Sequence, residues 1–197
     1  ADDFNFNALY PLPIRAVAEK HWTPIEVAMK AAAFLAVSPE EKVLDIGSGS
    51  GKFCLTAAHF HPQIDFYGIE QRPDLVNLCN NLKERLKLTN VSFICDNIIN
   101  LEFKKYDHFY FYNSFYENIE GTQKIDYNVV DSEKVYDAYN RYLYRQRKKK
   151  PAGTRLVTYH SLGSEIPKEY EVVQTANDDY LKLWVKVKSL KCKSFIF

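Results

Sequence analysis

Three glycines separated by single residues follow an acidic residue inside an otherwise apolar stretch. The stretch reads VLDIGSGSGKFCLTAA over residues 43–58, so that Asp45 precedes Gly47, Gly49 and Gly51. A glycine turn after a buried strand lets a ligand approach the backbone, because no side chain blocks it. In open parallel sheets, ligands bind at the carboxyl ends of the strands. The spacing therefore predicts a site for a nucleotide-like ligand.

Two common nucleotide-binding motifs fit this turn less well. A P-loop requires Gly-x-x-x-x-Gly-Lys and then Ser or Thr, but Ile46 stands at its first glycine and Phe53 at its hydroxyl position. A dinucleotide-binding turn requires Gly-x-Gly-x-x-Gly. When that motif begins at Gly47, Lys52 takes the place of the third glycine. The turn thus disfavours both a P-loop and nicotinamide-dependent oxidoreduction.

The pattern that does match is Asp-x-Gly-x-Gly-x-Gly, at Asp45, Gly47, Gly49 and Gly51. With this motif the sequence resembles the class I S-adenosylmethionine-dependent methyltransferases, in which it follows the first strand. The resemblance continues over residues 20–160. It implies a Rossmann-like fold, S-adenosyl-L-methionine as the cofactor and transferase activity toward a methyl acceptor.

Acidic residues close the next two predicted strands. IDFYGIE ends at Glu70, where a carboxylate can accept hydrogen bonds from a ribose diol. FICDN ends at Asp96 and Asn97, which the resemblance places at the adenine ring and which also favour turns. Two interpretations apply to Asp45 as well: it contacts the amino-acid end of the cofactor, or it caps the turn. The cofactor contacts implied by the resemblance are Thr23, Asp45, Gly47, Ser48, Gly49, Gly51, Glu70, Gln71, Asp96, Asn97 and Asn113.

The expected reaction edge is FYFYNSFYENIE, after the fourth strand. The resemblance implies Asn113 near the transferred methyl group, and Tyr116 and Phe115 as pocket walls or as packing residues. Glu117 could orient or deprotonate an amine. Nucleic-acid amino-methyltransferases carry two prolines after Asn or Asp, whereas Ser114 and Phe115 follow Asn113 here, so their rigid turn is not specified. We predict catalytic roles for Asn113, Tyr116 and Glu117.

A helix precedes the glycine turn. In HWTPIEVAMKAAAFLAV, Thr23 can cap the helix, Pro24 suits its first position, and Glu26 completes a capping box. Trp22 and Thr23 could also cover the methionine end of the cofactor. The apolar face is predicted to comprise Ile25, Ala28, Met29, Ala32, Leu35 and Ala36.

Strands and helices then alternate along the chain. Strands are predicted at KVLDI, IDFYGIE, VSFIC, YDHFYFYN and TRLVTYH, and helices at GKFCLTAAHF, RPDLVNLCNNLKERLKL and SEKVYDAYNRYLYRQRKKK. In the second of these helices Leu75, Leu78, Leu82 and Leu86 share one side. YEVVQT and YLKLWVKVK flank the turn-forming ANDD. We predict an α/β Rossmann-like sandwich, with a mostly parallel sheet, helices on both faces and a C-terminal antiparallel hairpin.

The charge balance bears on the partner. Lys and Arg number 26 against 25 Asp and Glu, which gives no general attraction to nucleic acid. The basic run RQRKKK, residues 145–150, ends an exposed helix and is typical of a solvated helix terminus. We therefore favour a protein side chain or a small molecule as the acceptor. RNA or DNA methylation and a noncatalytic S-adenosylmethionine-binding module for partner recognition are the alternatives.

The remaining sequence features indicate a single domain over residues 1–197, in which residues 1–40 form a helical segment that covers the cofactor site. No apolar run is long enough to cross a membrane, and the first residues lack a secretory signal, so we predict a soluble cytoplasmic protein. The histidines show no ligand spacing, and we predict no metal. Cys54, Cys79, Cys95 and Cys192 are expected to be small buried side chains.

Overall fold

The computed structural model describes residues 2–16, 22–112, 133–161 and 163–188, without the side chains of residues 133–136. The helices are α1 (Asp3–Asn7), α2 (Leu12–Arg15), α3 (Ile25–Leu35), α4 (Lys52–Phe60), α5 (Pro73–Arg85) and α6 (Glu133–Lys149). The strands are β1 (Lys42–Ile46), β2 (Asp65–Glu70), β3 (Val91–Cys95), β4 (His108–Tyr112), β5 (Arg155–Tyr159), β6 (Tyr170–Ala176) and β7 (Leu181–Lys186). Within these ranges no helix combines the length and the hydrophobicity that a bilayer crossing requires.

The seven strands form one sheet in the order β3-β2-β1-β4-β5-β7-β6. β3, β2, β1, β4 and β5 are parallel, whereas β7 runs antiparallel to both β5 and β6. The predicted Rossmann-like sheet with a C-terminal hairpin is confirmed. Strand order reverses between β1 and β4, and ligands of open α/β sheets bind at such a reversal, outside the carboxyl ends of the strands.

Helices cover both faces of the sheet, as predicted. Successive side chains of a strand point to opposite faces, so that Val43 joins one apolar cluster while Leu44 joins the other. The first cluster takes side chains from α3, α4 and α5, among them Leu35 and Leu55. The second takes Leu143 from α6. The carboxyl edge of β1 is therefore held between two packed layers.

The start of α3 differs from the predicted capping box. The helix begins after Pro24, and the Ile25 amide donates to the Asp3 carboxylate, with an N to Oδ1 distance of 3.1 Å. Thr23 is buried and its hydroxyl bonds to the Tyr110 hydroxyl at 2.8 Å. Glu26 instead forms an ion pair with Lys30. The cap thus comes from a residue distant in sequence, which local spacing could not reveal.

A few side chains expected in the core lie at the surface. Met29 is 39% exposed and Leu86, which follows the end of α5, is 37% exposed. Val27 and Ala31 are buried instead on α3. Cys95 is exposed, whereas Cys54 and Cys79 are buried as expected; Cys192 lies outside the described residues.

The basic run at the end of α6 is not uniformly solvated, which corrects the predicted exposed helix. Leu143 and Arg147 lie one turn apart on the face that packs on the sheet, and both are completely buried. The Arg147 guanidinium lies 5.0 Å from the Phe111 ring centroid and donates to the Glu165 carbonyl oxygen at 3.1 Å. Two of the six residues in the run are therefore structural, since Lys150 also donates to two backbone carbonyls.

Replacement of Arg147 by Ala should destabilise the fold strongly. Its Nη1 lies 3.8 Å from a carboxylate oxygen of Glu165, and that carboxylate would stay buried without its cationic partner, although the Ser161 hydroxyl also binds it. Such a loss costs about 3–5 kcal/mol of unfolding free energy. The exposed Arg145 is the matched control, whose change to Ala should cost less than about 0.5 kcal/mol. Urea denaturation followed by circular dichroism measures both, and similar small losses would contradict the burial of Arg147.

Candidate cofactor site

The backbone conformation of the glycine turn explains why its glycines occupy alternate positions. Gly47, Gly49 and Gly51 have φ angles of 73°, 52° and 76°, in the left-handed region that strains other residues. The Ser48 amide donates to the Ile69 carbonyl at 2.9 Å, and the Gly51 amide donates to the Ser48 carbonyl at 2.7 Å. Alternate residues must therefore adopt positive φ if the chain is to turn from β1 into α4 while it stays bonded to β2.

The glycines differ in their surroundings. A methyl group on Gly51 would lie 2.7 Å from the Cys79 sulfur and 2.9 Å from the Phe93 ring, so glycine permits close packing there. A methyl group on Gly49 would meet no described atom within 4 Å. The Ser48 hydroxyl is buried, and no described group hydrogen-bonds to it. Open space beside Gly49 and an unsatisfied hydroxyl next to it suit a polar ligand at this turn.

Glu70 ends β2 as a buried carboxylate with four donors. Its Oε2 accepts from the Gly49 amide at 3.0 Å and from Arg72 Nη2 at 3.1 Å. Its Oε1 accepts from the Arg72 amide at 3.0 Å and from Arg72 Nε at 2.9 Å. An ionised carboxylate offers about four acceptor positions. The predicted ribose acceptor is therefore bonded to the glycine turn, and its remaining positions are filled by the backbone amide and the guanidinium of Arg72.

The four donors to Glu70 are of two kinds. The amides of Gly49 and Arg72 belong to the backbone and hold the carboxylate in place. The Arg72 guanidinium belongs to a rotatable side chain and contributes one bond to each carboxylate oxygen. A ribose diol also offers two hydroxyl donors. Contact of Glu70 with a ribose diol stays a prediction, and it would require the guanidinium to turn away while the two backbone amides stay in place.

Asp45 lies buried at the carboxyl end of β1. Burial raises the pKa of its carboxyl to about 8, the Cys54 thiol at 3.6 Å opposes the rise, and the negative charge of Glu70 adds to it. The carboxyl is therefore largely protonated at neutral pH. In this state it adds no second negative charge beside Glu70.

Gln71, Asp96 and Asn97 meet beside Glu70. The Asp96 amide donates to the Glu70 carbonyl at 3.2 Å, which joins the end of β3 to the end of β2. The Asn97 side-chain amide donates to the Tyr139 hydroxyl at 2.6 Å and to the Gln71 side-chain oxygen at 3.5 Å. Asp96 is exposed and its carboxylate accepts from the Asn97 amide. The turn role weighed for these residues is thus observed, and their contact with adenine stays a prediction.

The N-terminal segment packs against the outer side of the glycine turn. The Tyr10 hydroxyl donates to the Ser50 carbonyl at 2.8 Å, and its ring lies 4.4 Å from that of Trp22. Lys52, buried at the start of α4, binds the side chains of Asp3 and Asn7. Sequence reasoning missed Tyr10 and Lys52, because these contacts join residues far apart in the chain. Cofactor coverage by residues 1–40 stays a prediction.

The predicted reaction edge is described only in part. β4 ends at Tyr112, and Asn113, Tyr116 and Glu117 lie outside the described residues, so their catalytic roles stay predictions. Phe111 is paired with Ile46, the last residue of β1, so Tyr112 lies beside the start of the glycine turn. In the described ranges no three His, Cys, Asp or Glu side chains converge as metal ligands would.

Family and sequence comparisons point to one class of protein. A family model described as a methyltransferase domain matches residues 38–192. A tRNA (guanine-N(7)-)-methyltransferase of Microcystis aeruginosa is 47% identical over 55 residues, which are 28% of this chain and 26% of that protein. A protein of the same name from a Nostoc species is 32% identical over 88 residues, 44% of this chain and 39% of that protein. The match thus spans between a quarter and two fifths of these relatives.

Solved structures share the fold. An RNA methyltransferase of Salinibacter ruber in complex with S-adenosyl-L-homocysteine aligns with a TM-score of 0.60 at 19% identity, over 85% of this chain and 95% of that one. An S-adenosylmethionine-dependent O-methyltransferase of Thermotoga maritima aligns with a TM-score of 0.58 at 15% identity, over 92% and 73%. At such identities the likeness establishes the fold.

The raised pKa of Asp45 predicts a pH-dependent stability. In the folded state the Asp45 carboxyl keeps its proton up to a pH of about 8, whereas in the unfolded chain it releases the proton above its ordinary pKa of 3.8. The contribution of this carboxyl to the unfolding free energy therefore falls as the pH rises through about 8. Asp45→Asn removes the titration. The unfolding free energy of wild type minus that of Asp45→Asn should decline between pH 5 and 9, as measured by urea denaturation. Asp65→Asn, at an exposed site on β2, is the control, and a constant difference would contradict the raised pKa.

Proposed function

The chain belongs to the class I S-adenosylmethionine-dependent methyltransferases, whose methyltransferase domain matches residues 38–192, and on that premise we propose that it methylates RNA. The observation that carries the proposal is the left-handed glycine turn bonded to the carboxylate of Glu70. The relatives named as tRNA methyltransferases supply the acceptor class. The described residues provide the cofactor half of the site.

The residues around the turn fit S-adenosyl-L-methionine. When bound, this cofactor supplies a methyl group activated by its sulfonium. Glu70 would accept both ribose hydroxyls after release by Arg72, and the open space beside Gly49 would admit the ligand to the backbone. Asp96 and Asn97, at the next strand end, would face the adenine. The neutral Asp45 carboxyl lets Glu70 remain the single anion at this part of the turn.

The acceptor proposal departs from the sequence-based preference. The sequence favoured a protein side chain or a small molecule, whereas the relatives support the nucleic-acid alternative better. Within RNA we propose N7 of guanine, the atom in the names of those relatives. This nitrogen carries an in-plane lone pair and no proton, so the protein's main task would be to align it with the methyl group. The absence of the two prolines after Asn113 matters less for such an atom than for an amine.

A methyl-transfer assay tests the proposal. The full chain is incubated with unmodified tRNA transcripts and S-adenosylmethionine labelled in its methyl group. We expect label in the RNA and 7-methylguanosine after nuclease digestion and mass spectrometry. Gly49→Arg should abolish the transfer, because its side chain would enter the open space beside the turn.

Two other results would contradict the RNA proposal. Labelled protein or labelled small molecules, with unlabelled RNA, would return the acceptor to the classes that the sequence favoured. Binding of the cofactor without transfer to RNA, peptide or metabolite mixtures would favour the noncatalytic module. Calorimetry with S-adenosylhomocysteine separates loss of cofactor binding from loss of transfer.

Variants of Arg72 and Glu70 should change cofactor affinity in opposite directions. Arg72→Gln frees two acceptor positions on Glu70, so S-adenosylhomocysteine should bind about fivefold more tightly, because the ligand no longer displaces a charged group. Glu70→Gln removes the charge, and charge-assisted bonds of about 1.5–3 kcal/mol predict roughly 10- to 100-fold weaker binding. Arg141→Gln, at an exposed position on α6, is the control. Weaker binding by Arg72→Gln would show that the guanidinium supports the ligand rather than competing with it.

A further inference from the structure

Four rings form a cluster at the carboxyl ends of β4 and β5, here called the edge aromatic cluster: Tyr112, Tyr159, His160 and Tyr180. Ring centroids are 5.0 Å apart for Tyr112 and Tyr159, and 4.3 Å apart for Tyr159 and His160. His160 and Tyr180 are also 4.3 Å apart, with an interplanar angle of 25°. The Tyr112 and Tyr159 rings are tilted by 54°, and the Tyr159 and His160 rings meet edge to face at 69°, so a chain of ring contacts leads to one stacked pair.

The cluster starts beside the glycine turn. β4 neighbours β1, and Tyr112 directly follows Phe111, which is paired with the last residue of β1. Tyr112 is in turn paired with Tyr159 of β5, and Tyr159 with Leu181 of β7. The rings thus extend across three adjacent strands, away from the cofactor turn and along the edge where an acceptor must meet a bound cofactor.

Unfavourable backbone conformations hold the stacked pair. His160 has a φ of 54°, in the left-handed region, and its amide donates to the Tyr180 carbonyl at 3.0 Å. Asn177, Asp178 and Asp179, just before Tyr180, have φ angles of 54°, 54° and 65°. Non-glycine residues in this region cost free energy and are concentrated at functional sites. The turn after β6 thereby places Tyr180 on the ring of His160.

Burial shifts the pKa values of three of the four rings in the cluster. Burial raises the pKa of Tyr112 to about 12 and also raises the pKa of Tyr159, while burial lowers the pKa of His160. Tyr180 is 54% exposed although one face of its ring lies on His160. The outermost ring therefore presents an aromatic surface to solvent.

We propose that the edge aromatic cluster stacks an unpaired base of the RNA acceptor, with Tyr180 and His160 as the contacting rings. The proposal rests on the proposed RNA methylation and adds to it the half of the site that faces the acceptor. RNA is recognised mainly through unpaired bases that stack on aromatic side chains. Such a stack contributes about 1–3 kcal/mol per base and needs no particular base edge. The Tyr180 ring, 54% exposed and stacked on His160 on the acceptor side of the turn, meets these requirements.

A fluorescence experiment tests the stacking directly. The probe is a single-stranded oligoribonucleotide of about ten nucleotides that carries one 2-aminopurine. It is titrated with the full chain saturated with S-adenosylhomocysteine. Stacking should quench the 2-aminopurine, and Tyr180→Ala should reduce both the quenching and the affinity by roughly 5- to 100-fold. Tyr180→Phe keeps the ring and should bind as wild type does.

Two more variants separate stacking from folding. His160→Asn removes the ring but tolerates the left-handed backbone, so it should weaken binding while circular dichroism stays unchanged. Phe60→Ala is the matched control, since Phe60 is 40% exposed but ends α4 at the opposite edge of the sheet. If the His160 and Tyr180 variants quench the 2-aminopurine as strongly as wild type does, the proposal is wrong.

The outcome with tRNA distinguishes this proposal from the proposed function. If wild type methylates tRNA and Tyr180→Ala and His160→Asn raise KM with kcat little changed, both are supported. If the variants methylate tRNA with the KM of wild type, the stacking proposal is wrong and RNA methylation stands. If wild type quenches the probe through Tyr180 but methylates no RNA, stacking is supported and the proposed function fails.

Discussion

The bond between the Gly49 amide and the Glu70 carboxylate is the interaction on which the cofactor half of the structure depends. It joins the turn after β1 to the end of β2 at 3.0 Å. Burial of a carboxylate is costly unless its acceptor positions are filled, and here backbone amides and one guanidinium fill them. The glycines adopt left-handed conformations, which let the turn direct the Gly49 amide toward Glu70 while the N-terminal segment packs on its outer side. The same bond explains why a ligand would compete with Arg72 and not with the backbone.

The strand order gives the carboxyl edge two distinct halves. On one side of the β1 and β4 reversal lie the glycine turn, Glu70 and the Asp96 turn, all built from polar groups. On the other side lies the edge aromatic cluster, which extends across the ends of β4, β5 and β7. The cofactor is charged and rich in hydroxyl groups, whereas an RNA base is flat and aromatic. The two ligands therefore differ as the two halves of the edge do. The division of the edge thus parallels the two partners of the proposed reaction.

Part of the basic run at the end of α6 is buried in the second apolar layer, between α6 and the sheet. Arg147 crosses the second apolar layer to Glu165 and lies over the Phe111 ring, while Arg145, Lys148 and Lys149 remain exposed. The buried guanidinium fixes α6 against the segment between β5 and β6. The exposed positive charge of the run is therefore smaller than its sequence suggests, and for the proposed RNA acceptor this gives stacking a larger share of the affinity than it would have on a basic surface.

The sequence by itself determined the features that depend on neighbouring residues. The Asp-x-Gly-x-Gly-x-Gly spacing, the strand-end Glu70 and the alternation of elements rest on local backbone preferences and periodicity, and the glycine turn, the sheet and its hairpin have the predicted form. Only the tertiary structure decided which partners meet. The Asp3 carboxylate caps α3 in place of Thr23, Arg147 is buried, and Tyr180 lies on His160. These contacts join segments distant in the chain, and no local rule fixes them, because they form only after tertiary packing brings those segments together.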